Sequence, residues 1–477
     1  MSTLGRTIVV DLDGTLIHSD TLFESYFVFL RSSPFLFWLP FVWLFGGKAN
    51  LKKNLANHVT PDAQLLPYNV ELIKWLKEQK MDGASLILAT AADHRIARAV
   101  FDHLGFFDEF IATNGVNLSS HNKRDRLIKK FGDRGYEYVG NSRADLAVWE
   151  SAAVIHMVNP GFGVASSAKK LSVPQGSTFQ DKPGYLHSLL KALRLHQWIK
   201  NALIFVPLLA SHRFLEGELI FDGLIAFLSF SLCASSVYLL NDLIDLPEDR
   251  RHNTKRNRPL AAGSLPIMHA LLLFPVLLLS AFTLSIFFLP WEFVSVLGGY
   301  YALTLAYSLW LKRMVMLDVV TLSMLYTSRV IAGAAAMSLV ATFWILAFST
   351  FIFLSLAMIK RYTELFHARQ DGIDEKAAGR DYYPADFELL ASLGGASGFI
   401  SVLILALYIN DSADVALYQS PEWMWLSLPI LLYWLSRVWL LAHRGEMHDD
   451  PIVFAIRDNV SRWTGVLFLA TFGLATL

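Results

Sequence analysis

After Tyr185 the chain is dominated by long apolar segments, and nothing else in it constrains the fold as strongly. Nine such segments lie near 201–211, 219–240, 267–289, 292–310, 316–337, 341–359, 388–409, 423–442 and 459–476. A helix crosses the hydrocarbon core of a bilayer with about 20 residues, in a range of roughly 17–25. A soluble helical core would show polar faces at helical spacing, and most of these segments show none. Composition agrees. Hydrophobic residues make up 54% of the 477 and charged residues 17%, against roughly 45–50% and about 25% in ordinary soluble chains. The expectation for residues 185–477 is an all-α polytopic membrane bundle of about nine transmembrane helices. The first segment is short and carries Pro207.

Charge is balanced, with 41 Lys+Arg against 41 Asp+Glu, so its distribution matters more than its sum. Alternate connections hold nearly all the cations: Lys191, Arg194 and Lys200; Arg250 to Arg258; Lys312 and Arg313; Lys360, Arg361, Arg369, Lys376 and Arg380; Arg444 and Arg457. The other connections contain Arg213 and almost nothing else. The positive-inside rule then places the N-terminal region and every charged block on the cytoplasmic side of the inner membrane. The one cysteine, Cys233, lies in an apolar run, which excludes an intramolecular disulfide and a cysteine-based zinc site. Nothing points to nucleic acid.

One connection, NDLIDLPEDRRHNTKRNRPLAAG (241–263), is far denser in charge than orientation requires. On a helix Asp242 and Asp245 are three apart and Asp245 and Asp249 four apart, so all three carboxylates share one face. They repel unless a cation lies between them. Magnesium takes oxygen ligands and is often shared with substrate phosphates. Lys255, Arg256 and Arg258 follow directly, and arginine suits two-pronged contact with phosphate. The pattern fits a magnesium–diphosphate site; a structural salt-bridge cluster is the alternative. Asp318 and Arg329 lie in or near a span, where ionisable groups are costly and usually functional.

The NDxxDxxxD block among these spans resembles the UbiA-type intramembrane prenyltransferase superfamily. LRLHQWIKN, KRNRPLAAG, YSLWLKRMVMLDVV, SRVIAGA, KRYTEL and DDPIVFAIRD look closest to its decaprenyl-phosphate phosphoribosyltransferases. The resemblance covers roughly residues 190–460. It implies transfer of 5-phosphoribosyl from phosphoribosyl pyrophosphate to a polyprenyl phosphate. Asp242 and Asp245 would hold Mg²⁺ on the leaving pyrophosphate, with Asn241 and Asp249. Lys255, Arg256, Arg258, Lys200, Lys312, Lys360 and Arg361 would bind phosphates. The same acids would serve a transferase moving a prenyl group from a prenyl diphosphate to an aromatic or other acceptor. A non-enzymatic lipid-binding or transport protein is the third reading. Transporters more often carry repeats and midplane charges, whereas these charges gather at one face.

Residues 1–160 read as α/β, with buried parallel strands at TIVV, SLILAT and YEYVG alternating with helical patterns. Asp11 and Asp13 follow the first strand, at the edge where open sheets bind ligands. VVDLDGTL, then Thr90, Lys123 and the pair Asn141/Asp145, resemble the haloacid-dehalogenase-like phosphatases. That resemblance implies a Rossmannoid parallel sheet with a helical cap. Asp11 would be nucleophile and Asp13 general acid/base, with Thr90 and Lys123 on the phosphoryl group and Asp11, Asp13 and Asp145 around Mg²⁺. The family's GDxxxD is GNSRAD here, and Asn141 brings one negative charge fewer. A regulatory or docking domain is the alternative to a phosphatase.

The insertion at about 20–60 contains YFVFLRSSPFLFWLPFVWLFGGKANLKK. It reads as a hairpin cap in the membrane interface, with Trp38 and Trp43 at headgroup depth and Lys48, Lys52 and Lys53 toward anionic lipid. A core helix pair within the cap is the alternative. Residues 161–184, rich in Gly, Ser, Pro and Lys, read as a linker.

Overall fold

The computed structural model describes residues 6–252, 254–370, 381–411, 418–447 and 450–476. Lys376 and Arg380 lie outside them. The chain separates into two compact units: Met1–Leu193 with Tyr238–Pro275, and Arg194–Val237 with Val276–Leu477. The first unit therefore holds the N-terminal domain, the charged block and the ends of two apolar helices.

Six parallel strands form the sheet of the first unit: β1 (Thr7–Val10), β2 (Ser85–Asp93), β3 (Glu109–Thr113), β4 (Glu137–Gly140), β5 (Val154–Val158) and β6 (Gln175–Phe179). Their order is β3-β2-β1-β4-β5-β6. The strands are nearly all apolar because both faces are covered. Ile8, Val10, Leu86 and Leu88 enter one layer, and Val9, Ile87, Tyr138 and Ile155 the other. The chain starts in the middle of the sheet and later crosses to β1's other side. The carboxyl ends of β1 and β4 thus flank a topological switch point, where such sheets open a crevice for ligands.

The stretch 161–184 is not a plain linker. It forms a short helix, Val164–Ala168, and edge strand β6, which pairs with β5. An edge strand needs backbone partners on one side only. β6 buries little beyond Phe179, which packs on Trp75 with ring centroids 5.4 Å apart. Its polar composition therefore hid it.

Three helices follow β1: α1 (Thr21–Ser32), α2 (Leu39–Phe45) and α3 (Lys48–His58). Asp20 caps α1 by accepting from the Leu22 amide at 2.8 Å. Phe29 on α1 packs with Leu51 and Leu55 on α3. Trp43 turns inward onto the Phe29 and His58 rings, at 5.5 and 5.1 Å, so it serves packing rather than interfacial anchoring. Lys52 also turns inward.

The helix Gly217–Ile244 stops at Asp245, and Leu246–Arg251 begins with Pro247 in its first turn. Proline lacks an amide donor and clashes with the carbonyl four residues back, which favours a break here. The three acids consequently do not line a single helical face. The segment after the break is tied to α1. Arg250 donates to both Glu24 oxygens at 2.7 and 2.6 Å and, through Nε, to the Ala261 carbonyl at 2.9 Å. The Arg250 and Glu24 side chains are 6% and 3% exposed. Arg31 on α1 pairs with Glu248. Gly263 has φ +70°, and a Cβ there would meet His18 Cβ at 2.5 Å.

Among the described residues six helices are long and apolar enough to cross a membrane: Gly217–Ile244, Ile267–Phe288, Leu317–Ala336, Phe343–Gln370, Pro384–Asn410 and Pro421–His443. Six of the expected nine meet this measure. Residues 195–210 form a 3-10 stretch and a short helix with Pro207 in its first turn. Trp291–Leu309 is diluted by glycine, tyrosine, threonine and serine, and Asn459–Ala475 has only 17 residues. The second unit exposes apolar side chains and buries small polar ones within its apolar core. Leu279, Phe287 and Leu403 are exposed, while Ser229, Ser231, Ser355 and Ser401 are buried. Ser355 Oγ donates to the Gly394 carbonyl of the neighbouring helix at 2.7 Å, a small-residue contact typical of membrane helices. The protein is an integral membrane protein.

Breaking a buried ion pair by removing one partner costs about 3–5 kcal/mol. Glu24→Ala should therefore lower the unfolding midpoint of the detergent-solubilised protein clearly, and Glu24→Met with Arg250→Met much less. Equal losses in the two variants would contradict a desolvated Arg250–Glu24 pair.

Candidate active sites

The first site forms at the carboxyl edge of β1, β2 and β4. Asp11 leaves β1 directly, and its Oδ1 accepts from Lys123 Nζ at 2.6 Å. Lys123, near the start of helix α6 if α4 (Val70–Met81), α5 (His94–Leu104) and α6 (His121–Phe131) are numbered in order, is 3% exposed and also meets Tyr138 OH at 2.9 Å. Tyr138 OH donates to Asp145 Oδ1 at 3.0 Å. Asp145 Oδ2 accepts from the Asn141 amide, the Ser142 amide and Ser142 Oγ at 3.0, 2.9 and 2.8 Å. A carboxylate offers about four lone-pair sites, so Asp145 is saturated as a loop anchor. Asn141 packs against the Asp11–Thr15 loop: a Cβ on Gly14 would meet its Nδ2 at 2.3 Å. Thr90 lies within β2, fully buried, and accepts from the Ala92 amide at 3.0 Å.

Asp13 Oδ1 accepts from the Thr21 amide at 2.8 Å. From the cap, Lys52 Nζ donates to the Ala91 carbonyl at 2.7 Å and Asn117 Oδ1 at 3.2 Å. Lys52, Thr21, Ser25 and Asp93 line a small, partly open cleft. Burial pushes Asp11 up to about 7 against the pull of Lys123. Burial and then Asp20 push Asp13 up to about 7. Burial lowers the Lys52 ammonium. The sequence reading sent Lys52 toward lipid and overlooked it here; its only sign was its place in an insertion next to a catalytic-type motif.

In the charged block, also in the first unit, Asp242 and Asp249 are 2% and 3% exposed. Arg258 Nη1 bridges them, at 3.1 Å from Asp242 Oδ1 and 2.7 Å from Asp249 Oδ2. Arg258, expected on a phosphate, thus neutralises the acids. Burial raises Asp249 despite Arg258. Asn241 and Asp245 are half-buried at the helix break, and Lys255 and Arg256 are exposed on the turn Lys255–Asn257.

In the second unit Asp450 Oδ2 accepts from Lys200 Nζ at 2.9 Å and Lys360 Nζ at 3.3 Å. Lys360, Asp450 and Tyr326 line a small cavity with room for about one water. Burial alone would raise Asp450, but Lys360 and Lys200 hold it below the usual carboxylate range. Asp450 carried no assigned role in the sequence; only its place in DDPIVFAIRD marked it. Arg361, expected on a phosphate, is 1% exposed. It is committed to Asp318 at 2.8 Å and to Glu364, with Tyr382 OH donating to Asp318 at 2.5 Å. Lys312 is half-buried on the turn Leu311–Arg313. Arg329 donates to Asn201 Oδ1 at 2.9 Å and lies over the Phe230, Tyr300 and Tyr326 rings at 5.4, 5.2 and 5.4 Å, a packing role.

Among the described residues no three carboxylate, imidazole or thiol groups already converge as a metal set. The donor chemistry nevertheless fits a hard cation at two places. Asp11 and Asp13, with the Asn141 oxygen, offer one oxygen set. Asp242 and Asp249, bridged by Arg258, offer the other.

Residues 203–472 match the UbiA prenyltransferase family, and the chain belongs to that family. It is 37% identical over 98% of its length to uncharacterized protein y4nM of Sinorhizobium fredii, covering 90% of that protein. It is 35% identical to nodulation protein NoeC of Azorhizobium caulinodans, over 57% of this chain and 87% of that one. It is 30% identical to the decaprenyl-phosphate phosphoribosyltransferase of Mycolicibacterium smegmatis, over 60% of this chain and 90% of that one.

Raised carboxyls make the metal-free fold bind protons more tightly than the unfolded chain. Their stabilisation is therefore complete near pH 4 and is lost as pH rises toward 7. Added Mg²⁺ should raise the unfolding temperature of the first unit by a few degrees at pH 8 and by little at pH 5.5. Asp11→Asn with Asp13→Asn should abolish the difference. A Mg²⁺ shift equal at both pH values, or unchanged in the double variant, would contradict binding at these acids.

Proposed function

We propose that the protein transfers 5-phosphoribosyl from phosphoribosyl pyrophosphate to a polyprenyl phosphate, and that its N-terminal domain removes the 5-phosphate from the lipid product. The observation that carries the first half is family membership joined to a named relative. Decaprenyl-phosphate phosphoribosyltransferases match over 60% of the chain. The buried acids of the NDxxDxxxD block support it.

In this reading an oxygen of the lipid phosphate attacks the anomeric carbon. The bond to pyrophosphate breaks, and pyrophosphate leaves with the electron pair. Asp242 and Asp249, with Asn241 and Asp245, would hold a magnesium ion, which when bound would supply charge neutralisation for that leaving group. Arg258, released from the acids, turns to a phosphate, and Lys255 and Arg256 extend the basic turn. Lys200 and Lys360, which Asp450 keeps charged and ordered, hold a phosphate.

In the N-terminal domain an Asp11 oxygen attacks the phosphorus of the 5-phosphate, breaking its bond to the ribose oxygen. Asp13 gives that oxygen a proton and later takes one from the water that hydrolyses the aspartyl-phosphate. A carboxyl near 7 suits both duties at neutral pH. Lys123 steadies Asp11 and the phosphoryl oxygens, and Lys52 adds a donor from the cap. The charge pattern supports an inner-membrane protein with these sites on the cytoplasmic side.

The test uses the protein in proteoliposomes with polyprenyl phosphate, Mg²⁺ and phosphoribosyl pyrophosphate labelled in both ribose and 5-phosphate. Wild type should release pyrophosphate and yield a lipid with ribose label but no phosphate label. Asp11→Asn should keep both labels, and Asp242→Asn should slow pyrophosphate release by about 10–100-fold or more. Release from a prenyl diphosphate but not from phosphoribosyl pyrophosphate would overturn the transferase reading. Retained 5-phosphate in wild type, as in Asp11→Asn, would overturn the phosphatase reading.

A further inference from the structure

The cap hairpin 34–45 keeps its largest apolar side chains outside. Phe35, Phe41 and Phe45 are 86%, 58% and 93% exposed, with Phe37 and Trp38 also exposed beside them. A contiguous aromatic patch of this kind marks an interaction site. The inner side of the same hairpin is satisfied, since Leu39 and Trp43 pack on the Phe29–Leu51–Leu55 cluster. The outward ring set is therefore surplus to the fold.

Two observations identify the occupant. The first is charge. No Asp or Glu occurs between Glu24 and Asp62, while Arg31, Lys48 and Lys53 border the hairpin, and Lys48 and Lys53 are exposed. Apolar tip and cationic rim are what a bilayer surface with anionic headgroups accepts. The second is the tether, which lies wholly within the first unit. Arg31, at the last turn of α1 just before the hairpin, pairs with Glu248, four residues after the apolar helix Gly217–Ile244 ends. About two turns earlier on α1, Glu24 clasps Arg250. The hairpin is thus fastened beside the end of a helix that crosses the membrane.

We infer that the hairpin 34–45 inserts its aromatic tip into the bilayer leaflet that borders the charged block, docking the phosphatase cleft on the lipid surface. Lys52 on α3 lines that cleft, so the same cap that enters the leaflet also offers a cation to a phosphate held at its surface. The substrate class that follows is a phosphate carried on a lipid, with a water-soluble phosphate ester lacking the surface enrichment. This last step rests on the phosphatase reading above; the docking itself does not.

The full chain carries one cysteine, buried Cys233, which Cys233→Ser removes. In that background Phe45→Cys, labelled with an environment-sensitive nitrobenzoxadiazole dye, is placed in nanodiscs of phosphatidylcholine and phosphatidylglycerol. Met81→Cys serves as control; Met81 is 79% exposed at the end of α4. The Phe45 probe should emit to the blue and be quenched by lipids bearing a doxyl group on the acyl chain, and the Met81 probe should do neither. Water-like emission at Phe45 would overturn the inference. Blue-shifted emission that lipid-borne doxyl does not quench would also overturn it, because protein would then cover the patch. For the substrate class, Phe35→Asp, Phe41→Asp and Phe45→Asp together should raise KM for the lipid-linked phosphate and leave turnover of a soluble aryl phosphate unchanged. Equal losses on both substrates would contradict that assignment. Quenching at Phe45 alongside wild-type dephosphorylation by Asp11→Asn would sink the phosphatase reading and leave the docking in place.

Discussion

A carboxylate taken out of water must be compensated, and Asp242 sits 2% exposed near the end of a helix fit to cross a membrane. Arg258 meets that demand for Asp242 and Asp249 together. Residues seven apart on either side of the break at Asp245–Pro247 thus meet one guanidinium. Losing the partner of a buried charge is costly, and burial raises Asp249 even beside Arg258. Under the function proposed above, the same two acids would accept a metal ion in place of the arginine.

The same requirement separates structural from chemical charges elsewhere. Arg361 is enclosed, with Asp318 and Glu364 around it, and has no open side to offer a substrate. Arg250 and Glu24 are likewise spent on each other. Lys200 and Lys360 differ. Both contact one carboxylate, Asp450, and Lys360 lines the small cavity beside it. In the N-terminal domain burial raises Asp11 and Asp13, against the pull of Lys123 on the first and of Lys52 on the second. Among the described residues the first site gathers acids and the second gathers lysines around one acid.

Much of this was legible in the sequence because it follows from local pattern. Apolar length marked the spans, alternation of short apolar runs with amphipathic helices marked the sheet, and VVDLDGTL placed Asp11 and Asp13 at a strand's end. What stayed hidden depends on partners distant along the chain. Arg258 and Arg361 look alike as loop or helix-end cations, and only the fold shows that both face carboxylates. Asp450 lies 250 residues from Lys200, and nothing local links them. Lys52 was one of three lysines in KANLKK, and only the packing of α3 turns it inward. β6 escaped because an edge strand needs little apolar character.

The most direct test of the central claim is equilibrium dialysis of labelled pyrophosphate against the full-length protein, with and without Mg²⁺. The account predicts retention of pyrophosphate that requires Mg²⁺ and is lost when Asp242 and Asp249 are both changed to asparagine. Mg²⁺-dependent retention that survives the double change would contradict a cation bridging these two acids to the departing diphosphate.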